Sequence, residues 1–253
     1  KLEELKIIKT FLLDTLFPIS CISCGKDNVW FCDECLQKIE LLSFQVCPKC
    51  EKIITENGNA CRNCKSISSL DGLLVACRYK NSSPDNQNIL AKLVHLYKYR
   101  FIEDLHMPLG KILIKAILQS QLPIPDIIIP IPLHPRRLRW RGFNQSDLLA
   151  GYIGNHLTAN FTIPIENDWL RRKKFTQPQM KIKKYTERLA NLQDAFFLDP
   201  NIIDNTKKSL HGKTILLVDD IATTGATLFE CAKILKTSGV KKVFAIVLAR
   251  QEM

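Results

Sequence analysis

Thr214-Ile-Leu-Leu-Val-Asp-Asp-Ile-Ala-Thr-Thr-Gly-Ala-Thr-Leu228 decides the fold. Ile215, Leu216, Leu217 and Val218 form an unbroken apolar run, the mark of a strand buried on both faces. Asp219 and Asp220 end it, and a turn of small residues leads into a helix. In open α/β sheets a ligand sits beyond the carboxyl ends of the strands. Backbone N–H groups at the next helix start, aided by its dipole, hold a phosphate there. Ile221, Ala222, Thr223, Thr224, Gly225, Ala226 and Thr227 make that turn: the threonines add hydroxyl donors, and Gly225 lets the backbone approach an anion. Asp219 and Asp220 cannot face a phosphate without repulsion. Their natural partners are sugar hydroxyls or a metal ion, so the expected ligand carries both a phosphate and a diol. The stretch contains neither the Gly-Lys-Thr/Ser of a P-loop nor a GxGxxG dinucleotide turn.

Outward from this stretch, strand and helix patterns alternate. Strands are predicted over 73–79, 126–131, 214–219 and 242–249, and helices over 87–99, 103–118, 144–157 and 224–237. Alternation of this kind predicts an α/β, mostly parallel, Rossmann-like sheet over residues 71–253. Residues 1–17 carry Leu2, Leu5, Ile8, Leu12 and Leu16 at helical spacing, and Pro18 stops that helix. Between them lies a cysteine-rich module, residues 18–70.

Eight of the ten cysteines form CxxC pairs: Cys21/Cys24, Cys32/Cys35, Cys47/Cys50 and Cys61/Cys64. A CxxC turn aims two sulfurs at one point, and two such turns complete a tetrahedral S4 site suited to zinc. Two structural Zn2+ ions are expected. Pairing the first knuckle with the second and the third with the fourth is the simplest arrangement, and an interleaved one satisfies the same ligand count. A segment this short buries no core of its own, so the metal must supply its folding energy. Disulfides need an oxidising compartment, whereas the chain opens Lys1-Leu2-Glu3-Glu4 rather than on a secretory signal. No apolar run reaches the roughly 20 residues of a membrane span. A cytoplasmic protein with no membrane span is expected. Cys77 and Cys231 stand outside the knuckles and read as core residues.

The formal net charge is +11. Between His134 and Arg188 there are 12 Arg/Lys against four acids, so most of the excess sits in that one segment. Such a field attracts polyanions unless it is simply a solvated basic face.

Two further stretches, Pro130-Ile-Pro-Leu-His-Pro-Arg-Arg-Leu-Arg-Trp-Arg-Gly-Phe-Asn-Gln145 and Thr176-Gln-Pro-Gln179 with Arg188-Leu-Ala-Asn191, join the turn and the CxxC pairs in a pattern. Together they resemble the ComF family, phosphoribosyltransferase-like competence proteins, over nearly the whole chain. The resemblance implies a type I phosphoribosyltransferase domain preceded by a small double zinc ribbon. It implies that Asp219 and Asp220 contact the ribose hydroxyls of phosphoribosyl pyrophosphate (PRPP) bound with Mg2+, and that residues 223–227 cradle its 5′-phosphate. It places His134, Arg136 and Arg137 toward the pyrophosphate and Lys98 near the ligand. Arg139 and Arg141 extend the positive surface, and Trp140 and Phe143 are candidates to stack a base. The plainer alternatives are that the aromatics pack under the loop and that His134 is a hydrogen-bonded structural residue. Arg171, Arg172, Lys173, Lys174 and Arg188 fall where this fold class carries a mobile loop over the substrate; the first four otherwise face solvent.

Three functions follow from the resemblance. The first is a PRPP-binding competence protein that handles single-stranded DNA in natural transformation, beside DNA-uptake or recombination proteins. The second is an active phosphoribosyltransferase acting on an unknown nucleophile. The third is a zinc-ribbon adaptor for protein partners. A glutamine-using amidotransferase is rejected, because the N-terminal cysteines are committed to metal.

Overall fold

The computed structural model describes residues 19–79, 89–175, 194–200 and 210–250. The helix expected over 1–17, the Thr176–Gln179 motif and Arg188 lie outside these. The chain divides into two compact units, residues 1–40 and 41–253. In the first, an antiparallel bridge between Ser20 and Asp27 closes the turn that carries the Cys21–Cys24 knuckle, and the Cys32–Cys35 knuckle follows. The second knuckle runs into a short helix, α1 (Asp33–Gln37), whose Asp33 and Glu34 lie in the first turn, where the helix dipole favours acids.

The second unit holds the other two knuckles and the main sheet. A two-stranded ribbon, β1 (Gln45–Val46) with β2 (Ile54–Thr55), links Cys47–Cys50 to the 3-10 turn Glu56–Gly58. The chain then enters β3 (Gly72–Arg78), α2 (Ile89–Tyr99), α3 (His106–Gln119), β4 (Ile127–Pro130), α4 (Pro135–Arg141) and α5 (Gln145–His156). A hairpin of β5 (Leu170–Arg172) and β6 (Phe196–Leu198) precedes β7 (Thr214–Val218), β8 (Ile221–Ala222), α6 (Ala226–Thr237) and β9 (Lys242–Arg250).

The sheet runs β3-β9-β7-β4, all parallel, with β8 also pairing β9. Strand β9 is buried from Val243 to Ala249, as a central strand of a sheet covered on both faces must be. Helix α3 packs on β3 and β9 and also against α5, which lies on β4; α6 packs on β9 and the β6 strand. Within the described residues, the strands and helices expected beyond residue 71 fall within about three residues of where their patterns put them. The hairpin β5/β6 and helix α4 were not expected, since each is too short to show a period.

The second ribbon covers the outer edge of β3. The Gln45 amide mimics a neighbouring strand: Nε2 donates to the Val75 carbonyl at 2.9 Å, and Oε1 accepts from the Val75 N–H at 3.0 Å. The Leu42 N–H donates to the Ala76 carbonyl at 2.8 Å. Gly58, at φ 69°, lies so close that a Cβ there would sit 2.0 Å from the Leu73 carbonyl oxygen.

Candidate functional site

The site is built at the carboxyl ends of β4 and β7. Strand β7 stops at Val218 and delivers two carboxylates in succession. Asp219 Oδ1 accepts from its neighbour's N–H at 2.9 Å and from the Ser146 hydroxyl at 3.1 Å. Asp220 Oδ1 accepts from the Ile221 N–H at 2.5 Å and pairs with Lys98 Nζ at 2.8 Å. Asp220 is 6% exposed, so this is a largely desolvated pair, and removing one partner would strand the other. Burial, and the adjacent Asp220 charge, push the Asp219 carboxyl up to about 7, against the pull of Lys98. Asp219 therefore holds its proton more readily than an ordinary carboxyl until a cation or hydroxyl donors arrive.

The phosphate turn follows. Thr223 and Thr224 are buried, while Asp219, Ile221 and Thr227 are partly exposed and form the open side of the turn. Gly225 sits at φ 75°, the left-handed region that glycine enters without strain, and caps α6. The Ala226 N–H donates to Thr224 Oγ1 at 3.3 Å, so that amide is already engaged. Behind the turn, Arg250 Nε donates to the Thr223 carbonyl at 3.2 Å and Nη2 to the Thr224 carbonyl at 3.0 Å. Nη2 also pairs with Glu51.

Basic groups surround the acids. Arg172, on β5, feels Asp219 as well as Arg137; burial, reinforced by Arg137, lowers its guanidinium to about 10. Its neighbour Arg171 points the other way and pairs with Asp168 at 3.1 Å and Asp199 at 3.3 Å. Strand alternation thus sorts the two arginines that the sequence left in one loop. His134 caps α4: its Nδ1 accepts from the Arg136 N–H at 3.1 Å. Burial and then Arg172 hold His134 below its usual range, while a hydrogen bond to the Lys173 backbone works the other way. The capping role is the plainer of the two expectations for this residue. Arg136, Arg137 and His134 gather around the Phe175 ring, with the Arg136 guanidinium 4.9 Å from its centroid. Lys173 and Lys174 are exposed, and Arg139 is exposed in the last turn of α4.

The aromatics divide. Phe143 packs inward at 5.7 Å from the Tyr97 ring. Trp140 is 61% exposed and meets Phe101 edge-on at 5.3 Å. The Arg141 guanidinium lies 6.0 Å from both the Trp140 and Tyr99 rings. Sequence reasoning missed Ser146, Arg250 and Tyr97, whose hydroxyl donates to the Gln145 carbonyl at 2.9 Å. The quoted basic stretch ended one residue short of Ser146.

Two cysteine clusters match the simplest pairing: Cys21, Cys24, Cys32 and Cys35, and Cys47, Cys50, Cys61 and Cys64, each with sulfurs within 4.8 Å of one another. The Cys24 and Cys32 sulfurs lie 3.6 Å apart and those of Cys50 and Cys61 3.9 Å, near the ~3.8 Å edge of a zinc tetrahedron with Zn–S of about 2.3 Å. The Cys32 N–H points at Cys21 Sγ (3.5 Å) and the Cys61 N–H at Cys47 Sγ (3.3 Å). Burial opposes ionisation of Cys21 and Cys47, but such backbone donors bring both thiols down to about 6. Burial and the neighbouring sulfurs push Cys64 up to about 12. Four sulfurs so close cannot share −4 without a dication among them, so the donor sets fit structural Zn2+, held by these residues.

Family models place a double zinc ribbon domain over residues 12–65 and a phosphoribosyl transferase domain over residues 158–252. Competence protein F of Haemophilus influenzae is 30% identical over 243 residues, covering 92% of this chain and 98% of that protein. DNA utilization protein YhgH of Salmonella typhi is 27% identical over 232 residues, covering 87% and 96%. Competence protein ComFC of Bacillus subtilis is 28% identical over 221 residues, covering 82% and 78%. Among the described residues no helix is long and apolar enough to cross a membrane.

Proposed function

This chain belongs to the competence protein F (ComF) family, with a type I phosphoribosyltransferase-like domain behind a double zinc ribbon, and from that premise we propose that it binds PRPP with Mg2+ and handles single-stranded DNA in the cytoplasm during natural transformation. The observation that carries the ligand assignment is the Asp219–Asp220 pair set against the glycine-capped start of α6, with Lys98, Arg137 and Arg172 around it. In this reading Asp219 and Asp220 hold the ribose hydroxyls, and the Thr224 and Gly225 amides with the Thr223 and Thr227 hydroxyls hold the 5′-phosphate. Arg137 and Arg172 face the pyrophosphate. Lys98, paired with Asp220, adds positive charge beside the ligand. Asp219 and Asp220 would help hold Mg2+, which would supply charge neutralisation for the pyrophosphate. Support for the DNA role comes from the exposed Trp140–Phe101 pair flanked by Arg141, an aromatic and cationic ledge suited to unpaired bases, and from relatives named for competence and DNA utilization.

Calorimetry tests the ligand assignment without assuming turnover. PRPP with Mg2+ is expected to give saturable heat with the wild type, and Asp219→Asn/Asp220→Asn is expected to weaken binding at least about tenfold, the effect of roughly 1.4 kcal/mol. Equal affinity in the double variant removes the assignment. Pyrophosphate release on adding a nucleobase, abolished in Asp220→Asn, would instead favour an active transferase.

A further inference from the structure

The back of the phosphate turn is fastened to the second metal centre through one arginine. Arg250 ends β9, and its guanidinium does three things at once. It donates to the Thr223 carbonyl, donates to the Thr224 carbonyl, and pairs with the Glu51 carboxylate. The ion pair spans 199 residues of chain. Glu51 directly follows the metal ligand Cys50. Its own N–H donates to the Cys47 carbonyl at 2.9 Å, and its φ of 58° places it in the left-handed region. A non-glycine residue held there costs on the order of 1–3 kcal/mol and persists only where the surroundings impose it. The knuckle supplies that constraint when its four sulfurs are drawn together. The same knuckle touches α6 beside the turn: Lys49 Nζ lies 5.4 Å from the Phe229 ring centroid, and that ring lies against Gly225.

We infer that Glu51 and Arg250 form a clasp through which the metal-loaded second ribbon aims the phosphate-binding amides; this rests on reading residues 219–227 as a phosphate turn. The peptide unit is planar and trans, so its C=O and N–H point in opposite directions. The Thr223 carbonyl shares a unit with the Thr224 N–H, and the Thr224 carbonyl shares one with the Gly225 N–H. Holding both carbonyls rearward on Arg250 sends both N–H groups forward, toward the side opened by Asp219, Ile221 and Thr227. A single guanidinium reaches two carbonyls and a carboxylate because its donors form a rigid fork, a task that lysine, with one nitrogen, cannot repeat. Glu51 fixes the rotation of that fork, and the ribbon fixes Glu51. Both are positioning residues, with no contact to the ligand.

Coupling of this kind is reciprocal: if the metal centre favours the ligand-binding form of the turn, bound ligand must favour the loaded metal centre. The test uses the full zinc-loaded chain, Glu51→Gln, Glu51→Ala and Arg250→Lys. Two quantities are read: affinity for PRPP with Mg2+, and for ribose 5-phosphate alone, by calorimetry; and the rate of zinc transfer to a chromogenic chelator with and without PRPP. Cys35→Ser, which lacks the first centre, identifies the slower or faster release as that of the second. Affinity is expected to fall about tenfold in Glu51→Ala and Arg250→Lys, and less in Glu51→Gln, with both zinc ions still bound. PRPP is expected to slow release from the Cys47–Cys64 centre severalfold in the wild type, to leave the Cys21–Cys35 centre unaffected, and to protect neither in Arg250→Lys. A residue that merely braced the fold would lower the melting temperature without severing this protection. Wild-type binding with unchanged affinity and protection in the variants overturns the clasp alone. Absence of binding of either phosphate ligand to the wild type removes the site assignment and the clasp with it.

Discussion

Asp219 shares the end of β7 with Asp220, and burial there raises its carboxyl to about 7 from an ordinary value near 3.8. Between those two values the folded chain keeps a proton that the unfolded chain has lost. Stability from this group is therefore present at low pH, falls as pH rises from about 4 to about 7, and is flat above that. Asp219→Asn should remove the penalty. Urea denaturation of the ligand-free protein is expected to show the variant gaining on the wild type between pH 5 and pH 8; a constant difference across that range would mean Asp219 titrates normally. Mg2+ and a sugar diol favour the carboxylate, so the same group makes ligand binding weaken below neutrality in the wild type.

At the scale of the element, α4 joins two surfaces. Its first turn carries His134, Arg136 and Arg137 toward Phe175, and its last turn presents Trp140 beside Phe101. A charged face and a stacking face on one short helix can follow a phosphate backbone and its bases together. Trp140→Ala should weaken binding of single-stranded DNA by about 1–3 kcal/mol without changing its salt dependence. Arg136→Ala should instead lower the slope of log K against log salt by about 0.7, the contribution of one phosphate contact on a single strand. Filter binding over a salt series separates the two, and equal slopes in wild type and Arg136→Ala would place the DNA elsewhere. The main strands were legible because a short apolar run ended by a turn signal, as Ile215–Val218 is by Asp219, Asp220 and the small residues after them, reads as a strand buried on both faces. Helix α4 and the β5/β6 hairpin were not, because elements of seven residues and three residues carry no period. The direction of Arg172, against that of Arg171, needs the register with Phe196 and Phe197, which no local pattern contains.

Over the whole molecule, the two cysteine clusters are alike in spacing but belong to different bodies: the first to residues 1–40, the second to the unit that holds the sheet. Loss of one ligand from each should have unlike consequences. Cys35→Ser is expected to cost one zinc and leave the main unfolding transition in place. Cys64→Ser is expected to cost one zinc and lower that transition by on the order of 5 °C or more, since each kcal/mol is worth about 2–4 °C at this size. Differential scanning calorimetry with metal analysis checks both, and matching shifts would show that the clusters contribute equally to the main body. The knuckle spacing announced the metals from sequence. The attachment of one of them to the phosphate turn through Glu51 and Arg250 was invisible, because it joins positions that are remote in the chain and unremarkable in type.

The Gln45 amide and the Leu42 N–H occupy hydrogen-bonding groups on the outer rim of β3, and Gly58 lies close against the Leu73 carbonyl. That rim is a ready template for a foreign strand, and here the cover is a patch whose own shape depends on a bound ion. Zinc starvation would therefore do more than loosen a ribbon: it would bare a sticky border and leave the protein prone to self-association.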